Sequence, residues 1–204
     1  MTKMSSMITM THIKWTLSGL VLASLVACSG GGSTPSAPPA KTIADRLDYT
    51  NPTSGTYLLV KDTTSTSTHL VLNLMGPAGT QGSGVGFFLT ADNAKVAWSK
   101  VSSGDTEFVK NGVFTLGSGV QLLKSKVTGD QLQAGVFQKG TTVPAVTFTA
   151  AGVLASVALD LKGNVPVGSI VWSSTQAPST KAVLNQGSGV PVPIAINYGT
   201  LTAN

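Results

Sequence analysis

The side chains that most often carry catalysis or bind metals are scarce in this sequence. Its 204 residues contain one cysteine, Cys28, two histidines, His12 and His69, and a single glutamate, Glu107. No serine lies in a Gly-x-Ser-x-Gly motif, and no Cys/His spacing matches a zinc site. His69 begins an apolar run, a position typical of a strand end rather than of a general base. We therefore expect no catalytic site, no bound metal and no cofactor.

Two acidic segments could offer oxygen ligands to calcium, namely Asp92-Asn93 and Asp105-Thr106-Glu107. Asp and Asn side chains also hydrogen-bond their own backbone in turns. Turn capping is the favoured interpretation of both segments, and calcium binding is the alternative.

The N-terminus has the charge and hydropathy pattern of a secretory signal. Residues 1–14 are polar, with Lys3 and Lys14 and no acidic residue, and residues 15–27 are mostly apolar. A basic start and a short apolar run before a small residue are typical of a signal peptide. At about 1.5 Å per residue, the apolar run is too short to cross a bilayer core of about 30 Å as a helix.

Residues Leu25-Val26-Ala27-Cys28 resemble the lipobox of bacterial lipoproteins. The resemblance implies cleavage before Cys28, lipid on its thiol and attachment to a membrane of the cell envelope. Ser29, the residue after the cysteine, implies the outer membrane. The alternative is an ordinary signal peptide with a cysteine near its end by chance.

The composition divides the chain into three parts. We assign residues 1–27 to the signal peptide, residues 28–49 to the lipidated cysteine and a flexible tether, and residues 50–204 to one folded domain. Residues 29–41 consist largely of Gly, Ser, Pro and Ala, a composition typical of linkers. Fully extended, such a tether reaches about 40 Å at about 3.3 Å per residue, which would hold the domain clear of the lipid.

The charge of the mature chain excludes one class of partner. Loss of Lys3 and Lys14 reduces 13 basic residues to 11 against 8 acidic residues, so the net charge falls from +5 to +3. Lys124 and Lys126 share one face of a predicted strand, but the other lysines are scattered. Nucleic-acid binding requires a concentrated basic patch, so we expect no nucleic-acid partner. We expect a monomer whose stability comes from packing, because no cysteine remains for a disulfide.

The folded region has the alternation of a β-sheet protein. Apolar residues recur at every second position in Leu70 to Leu74, Val85 to Leu89 and Val153 to Leu161. Many short runs of this kind, with no amphipathic helix, predict an all-β sandwich or barrel. The sequence Gly-Ser-Gly-Val occurs at 82–85, 117–120 and 187–190, and we interpret each copy as a flexible entry into a strand.

Two local features predict how strands are placed. Leu132, Ala134 and Val136 alternate with glutamines directly after Thr128-Gly129-Asp130, which predicts a hairpin. Pro191-Val192-Pro193 cannot donate a full set of ladder hydrogen bonds, which predicts an edge strand.

Three stretches, in order, resemble the cohesin family, the β-sandwich modules that bind dockerin domains. They are residues 84–96, residues 152–162 continued to Ile170, and residues 194–202. The resemblance covers roughly residues 55–204 and implies a jelly-roll sandwich of about nine strands. It also implies that Asp92, at the end of a strand, contributes to dockerin recognition, although Asn93 replaces the proline usual in the family.

Three functions follow as hypotheses. The leading one is a non-catalytic, membrane-anchored module that binds another exported protein, dockerin-like by resemblance, across one sheet face. The second is polysaccharide binding, which requires exposed aromatic platforms, and the third is a structural envelope lipoprotein. For Trp98 and Trp172 we favour core packing over a platform. The aromatic candidates for such a platform are Tyr49, Tyr57, Trp98, Trp172 and Tyr198.

Overall fold

A computed structural model describes residues 40–116, 122–138, 144–150, 152–174, 182–186 and 191–204. The predicted signal peptide, Cys28 and most of the predicted tether lie outside these residues, as do two of the three Gly-Ser-Gly-Val segments. Within the described residues every regular element is a β-strand, and no helix there is long and apolar enough to cross a membrane. The all-β prediction is confirmed.

Seventeen strand segments occur in the described part of the chain, five of them only two residues long. They are β1 (Leu47–Thr50), β2 (Tyr57–Lys61), β3 (His69–Met75), β4 (Gln81–Gly82), β5 (Gly84–Ala91), β6 (Val96–Ser99), β7 (Val109–Asn111), β8 (Leu122–Thr128), β9 (Gln131–Phe137), β10 (Val146–Thr147), β11 (Val153–Leu161), β12 (Gly168–Ser169), β13 (Trp172–Ser173), β14 (Ala182–Asn185), β15 (Pro191–Ile194), β16 (Ile196–Asn197) and β17 (Thr200–Ala203).

Two large sheets form the sandwich. The first sheet has the order β16-β2-β3-β11-β6, and β7 also pairs with β11. The second sheet has the order β15-β14-β5-β9-β8, and β13 also pairs with β5. Neighbouring strands are antiparallel except for the parallel pair β16 and β2. A small sheet of β1, β17 and β12 and the short pair β4 and β10 complete the structure.

The core lies between the two large sheets because each contributes the apolar half of its alternating strands. One contiguous cluster of buried side chains joins both sheets. Each large apolar side chain that is fully buried contributes about 1.5–3 kcal/mol, so this cluster accounts for stability without a disulfide. Its most deeply buried members on the longest strands include Leu70, Leu72 and Leu74 on β3, Phe87 and Leu89 on β5, Leu132 and Val136 on β9, and Val157 and Leu159 on β11.

Strands β8 and β9 form the predicted hairpin. Thr128 pairs with Gln131, so only Gly129 and Asp130 make the turn. Gly129 has a φ of +63°, a backbone conformation that glycine adopts without steric cost. The hairpin prediction is confirmed, and its residue-by-residue register fixes which side chains of β8 and β9 share a face.

The proline-containing strand lies where the sequence predicts it. Among the described strands, β15 is the terminal strand of the second sheet and pairs with β14 alone, with Pro193 opposite Val183 and Pro191 opposite Asn185. A proline fits a paired strand where its nitrogen faces away from the ladder. The outer side of β15 therefore lacks donors at both prolines.

The sheet structure begins inside the segment predicted to be tether. β1 pairs along its whole length with β17, and the side chain of Leu47 is 2% exposed. The Tyr49 hydroxyl donates to the Leu59 carbonyl at 2.7 Å and accepts from the Gly199 amide at 2.8 Å. Burial of the Tyr49 ring raises the pKa of its phenol to about 12, only partly offset by the Gly199 hydrogen bond. This strand belongs to the fold.

Candidate functional site

The second sheet turns one side toward the core and the other toward solvent. On β5 the core side chains alternate with Gly84, Gly86, Phe88 and Thr90, which lie on the opposite side of the strand. The register of β5 with β9 places Gly135 opposite Gly86 on that same side. We call this solvent-facing side, formed by β15, β14, β5, β9 and β8, the second outer face.

Three glycines make room for one phenylalanine ring on the second outer face. A Cβ added to Gly84 would lie 2.3 Å from Phe137 Cδ1, and one added to Gly135 would lie 3.0 Å from Phe137 Cε2. A Cβ on Gly86 would lie 3.2 Å from Phe137 Cζ. The Phe137 ring therefore lies across backbone that has no side chains. The approach is closest at Gly84, where an added Cβ could not be accommodated without a shift of the chain.

Beside Phe137 the same face contains an apolar groove of about 540 Å³. Phe88 from β5, Leu122 from β8 and Val183 from β14 line it together with Phe137. These four side chains come from four different strands, whose order in the sheet is fixed by the ladder pairing. We call this feature the apolar groove.

The charge around the apolar groove is entirely positive on its own strands. Lys124 and Lys126 are exposed and line the groove from β8. The segments β5, β8, β9, β14 and β15 contain no aspartate and no glutamate. The acidic group near this pair of lysines is Glu107, whose Oε1 lies 3.7 Å from Lys124 Nζ.

Glu107 binds Ser125 on β8, which differs from the predicted capping of its own turn. Its carboxylate accepts hydrogen bonds from the backbone amide and the hydroxyl of Ser125, both at 2.8 Å. Burial acts to raise the pKa of Glu107, but the Ser125 hydrogen bonds and Lys124 outweigh it and hold the pKa below its ordinary value. Asp105, in contrast, accepts from the amide and hydroxyl of Ser102 at 2.8 Å and does cap its turn. The two carboxylates thus serve different partners.

The side of the first sheet that faces away from the core, the first outer face, contains a network of polar side chains. The Ser156 hydroxyl donates to Asn73 Oδ1 at 2.6 Å, and Asn73 Nδ2 donates to Asp62 Oδ2 at 2.5 Å. Asp62 also accepts from the amide and hydroxyl of Thr64 at 2.8 and 2.6 Å. The Thr64 and Asn73 hydrogen bonds lower the pKa of Asp62 despite its partial burial.

His69 lies at the beginning of β3, as predicted, and its ring is fully engaged. Its Nδ1 lies 2.5 Å from Asp160 Oδ1, and its Nε2 lies 3.2 Å from the Val101 carbonyl. Both ring nitrogens therefore face acceptor oxygens within the fold. Within the described ranges, no group of three or more His, Cys, Asp or Glu side chains is positioned to hold a metal ion.

The aromatic side chains do not form a sugar-binding platform. Trp98, Trp172 and Tyr57 are each 8% exposed, which confirms core packing for both tryptophans. Trp172 packs edge-to-face against Tyr49 and Tyr198, with interplanar angles of 79° and 66°. Coplanar exposed rings, which the polysaccharide hypothesis requires, do not occur among these five residues.

No family model and no curated protein matches this sequence. The fold does match solved structures. A type II cohesin from Bacteroides cellulosolvens superposes with a TM-score of 0.53 and 12% identity, over 72% of this chain and 98% of that chain. The type II cohesin dyad from the adaptor scaffoldin of Acetivibrio cellulolyticus gives 0.52 and 15%, over 72% of this chain and 48% of the dyad. The sixth cohesin of scaffoldin B from Acetivibrio cellulolyticus, in complex with a dockerin, gives 0.47 and 15%, over 72% and 97%.

The domain has the cohesin fold. The cohesin-like β-sandwich predicted from residues 84–96, 152–170 and 194–202 is therefore confirmed as a fold. These three stretches include β5, β11 and β17, which lie in three different sheets of the structure.

Asp92 lies directly after β5, a strand of the second sheet. It does not line the apolar groove. Its Oδ1 accepts from the Ala94 amide at 3.0 Å, so the side chain caps its own turn as predicted. The Asp92 amide donates to the Val171 carbonyl at 2.9 Å, which holds this turn against the segment before β13. A role for Asp92 in binding a partner stays a prediction.

The apolar groove is the feature that sequence reasoning missed. The segment 82–85 is interpreted from sequence as a flexible strand entry, whereas Gly84 lies within β5 and, with Gly86, makes space for Phe137. The available signal was the spacing of Gly84, Gly86 and Phe88. Residues two apart share a face of a strand, so this pattern indicates a face with two side chains missing beside one large ring.

Proposed function

We propose that this chain is an exported, membrane-anchored lipoprotein whose cohesin-fold domain binds another exported protein and carries out no catalysis. The apolar groove of the second outer face is the observation that carries the proposal. We assign the partner, by the cohesin resemblance, to a dockerin-like module of an exported protein. The second outer face is its docking surface.

The groove has the features of a recognition site on a rigid scaffold. Its lining side chains extend from strands whose ladders fix their positions, so little conformational entropy is lost when a partner binds. Its centre is apolar and contains aromatic rings, as the energetically dominant part of protein interfaces usually does. The polar and charged side chains lie at its margin.

Asp92 marks one end of the proposed contact. It follows β5 directly, so a partner that extends along β5 from Phe88 meets this carboxylate. One of its oxygens caps the local turn. A carboxylate can accept further hydrogen bonds, so Asp92 can serve both the turn and the partner.

Binding experiments with a panel of recombinant dockerin modules test the docking surface. We expect the double variant Leu122→Asn/Val183→Asn to lose at least tenfold in affinity, because polar amides then face the partner's apolar side chains. The matched control is Val167→Asn/Val171→Asn, which changes two valines that are 39% and 78% exposed and do not line the groove. Calorimetry is run with and without a chelator, and the thermal melting of each variant is recorded in parallel.

Two outcomes contradict the docking surface. If the groove variant binds every responsive module as tightly as wild type, contact occurs elsewhere. If the Val167→Asn/Val171→Asn control alone loses affinity, the partner docks beside Asp92 and not in the groove. We expect metal dependence to arise from the partner, because the described residues of this chain offer no cluster of ligands.

The membrane anchor has an independent test. We expect Cys28→Ser to abolish incorporation of labelled fatty acid and to release the protein from the membrane fraction, because no second cysteine can form the thioether. Ser29→Ala is the control and should remain lipidated. Density-gradient fractionation then reports whether the wild-type protein lies in the outer membrane. Fatty-acid label on the Cys28→Ser protein would refute the anchor and leave the docking surface untouched.

A further inference from the structure

We propose that the apolar groove selects a polypeptide segment in which apolar side chains are flanked by carboxylates. This inference rests on the proposed function, since it concerns the chemistry of the partner at the same surface. It adds the requirement that the partner carry negative charge beside its apolar side chains, which the cohesin fold alone does not imply.

The apolar part of the requirement follows from the lining of the groove. Phe88, Leu122, Phe137 and Val183 offer carbon surface, and the glycines under Phe137 leave no side chain that could fill the space. An apolar side chain of the partner would exclude water from this surface. Burial of apolar area is the main favourable contribution to such association.

The charged part follows from β8. Lys124 and Lys126 lie two residues apart on one side of the strand, which separates their Cα atoms by about 6–7 Å. Both line the groove beside Leu122. A carboxylate on the partner next to its apolar anchor would lie within reach of either ammonium group.

The positive charge is not cancelled on the second outer face. Its strands β5, β8, β9, β14 and β15 contain no carboxylate. Glu107 approaches Lys124 to 3.7 Å, but its Oε2 is held by the Ser125 amide and hydroxyl. Lys124 keeps 77% of its side chain exposed, so it remains available to a partner.

The same charges argue against a second copy of this chain as the occupant. Two copies meeting through this face would bring four lysines together without a carboxylate on the strands of either copy. Like charges placed together across an interface weaken association and suppress wrong partners. A protein segment with acidic residues removes this cost and gains attraction.

A displayed library of random sixteen-residue peptides, selected on the full chain, is the probe. We expect the selected peptides to combine apolar residues with flanking Asp or Glu. Their affinity should fall roughly tenfold or more in Lys124→Glu/Lys126→Glu. It should also fall between 0.1 M and 1 M salt, because screening shortens from about 10 Å to about 3 Å. The control Lys61→Glu/Lys100→Glu reverses two exposed lysines away from the groove and should bind as wild type does.

The groove variant Leu122→Asn/Val183→Asn separates failure of this inference from failure of the proposed function. Suppose that the selected peptides lose binding to this variant and therefore occupy the groove. If those peptides are neutral or basic, or bind Lys124→Glu/Lys126→Glu normally, the charge requirement is wrong and the docking surface stands. A selection whose peptides all bind the groove variant normally, or that yields no binder, refutes the docking surface as well. Vesicles of anionic phospholipid are a further arm. If they bind through the two lysines while acidic peptides do not, the occupant is a membrane surface and the inference is wrong.

Discussion

On the first outer face the polar side chains bond to one another, whereas on the second outer face they surround an apolar groove. Ser156, Asn73 and Asp62 form a chain of hydrogen bonds, and His69 bridges Asp160 and Val101. The second face instead presents the groove lined by Phe88, Leu122 and Phe137, with Lys124 and Lys126 along its β8 side. The first outer face is also more deeply covered, since Val71, Ser156 and Ala158 on it are 2%, 9% and 0% exposed. One face satisfies its polar groups internally, and the other has surface to offer to another molecule.

The largest expected effect concerns the glycines of the second outer face. We expect Gly84→Ala to lower the free energy of unfolding by about 3 kcal/mol, the upper end for overpacking. A Cβ there lies 2.3 Å from Phe137 Cδ1 and 2.7 Å from the Val136 carbonyl oxygen, which is backbone and cannot rotate away. Urea denaturation measures the change.

Gly86→Ala is the matched control for Gly84→Ala. Its Cβ meets only the far end of Phe137, at 3.2 Å, and Val183 at 3.6 Å. We expect stability within about 1 kcal/mol of wild type and weaker partner binding, because the methyl group occupies part of the groove. Equal stability loss in both variants would show that Phe137 is not placed by the glycines.

The first outer face should respond in stability and not in binding. We expect Asn73→Ala to lower the free energy of unfolding by about 2 kcal/mol, because the Ser156 hydroxyl and Asp62 each lose a partner. Ser156 is 9% exposed, so water replaces the lost hydrogen bond poorly. Denaturation and peptide binding are measured on the same sample. If Asn73→Ala lost binding without losing stability, the recognition surface would lie on the first sheet and not on the second.

Asp92 tests how far the recognition surface extends along the second sheet. We expect Asp92→Ala to cost about 1 kcal/mol of stability, because the Ala94 amide loses its acceptor. If Asp92 also contacts the partner, calorimetry will show weaker binding as well. Asp92→Asn keeps an oxygen for the turn and serves as the control. A variant that melts early yet binds normally would restrict the contact to the groove.

The smallest expected effect is a change in how the free energy of unfolding depends on acid pH. It arises from Asp62 on the first outer face. Hydrogen bonds from Thr64, followed by that from Asn73, lower the pKa of Asp62 below its ordinary value of 3.8. A lowered pKa means that this group contributes stability above its unfolded pKa and loses the contribution as pH falls through the folded pKa. We therefore expect Asp62→Asn to flatten the stability profile below about pH 4. Thermal melts between pH 3 and pH 6 would contradict this if wild type and variant ran parallel.

Much of the fold follows from local sequence. Alternation predicts β3, β5 and β11, the sequence Thr128-Gly129-Asp130 predicts the hairpin, and Pro191 and Pro193 predict an edge. Each of these features depends on neighbours in sequence, where strand period and turn chemistry act directly. The confirmed core positions of Trp98 and Trp172 follow from the bulk that a sandwich core needs.

The groove does not follow from local sequence because four strands build it. Phe88, Leu122, Phe137 and Val183 become neighbours only after β14, β5, β9 and β8 pair in that order. β14 and β9 both pair with β5, although nearly fifty residues separate them. The same limit applies to Glu107, whose partner Ser125 is eighteen residues away along the chain. Residue types alone contain no record of such register.

The edges of the second sheet bear on how copies of this molecule meet at high concentration. An open strand edge templates further strands and leads to aggregation or domain swapping. Here β15 lacks outward donors at Pro191 and Pro193, and on β8 the Ser125 amide is already occupied by Glu107. Strand addition is therefore hindered at these positions of the two edges. Fewer free donors remain there from which a fibril could grow.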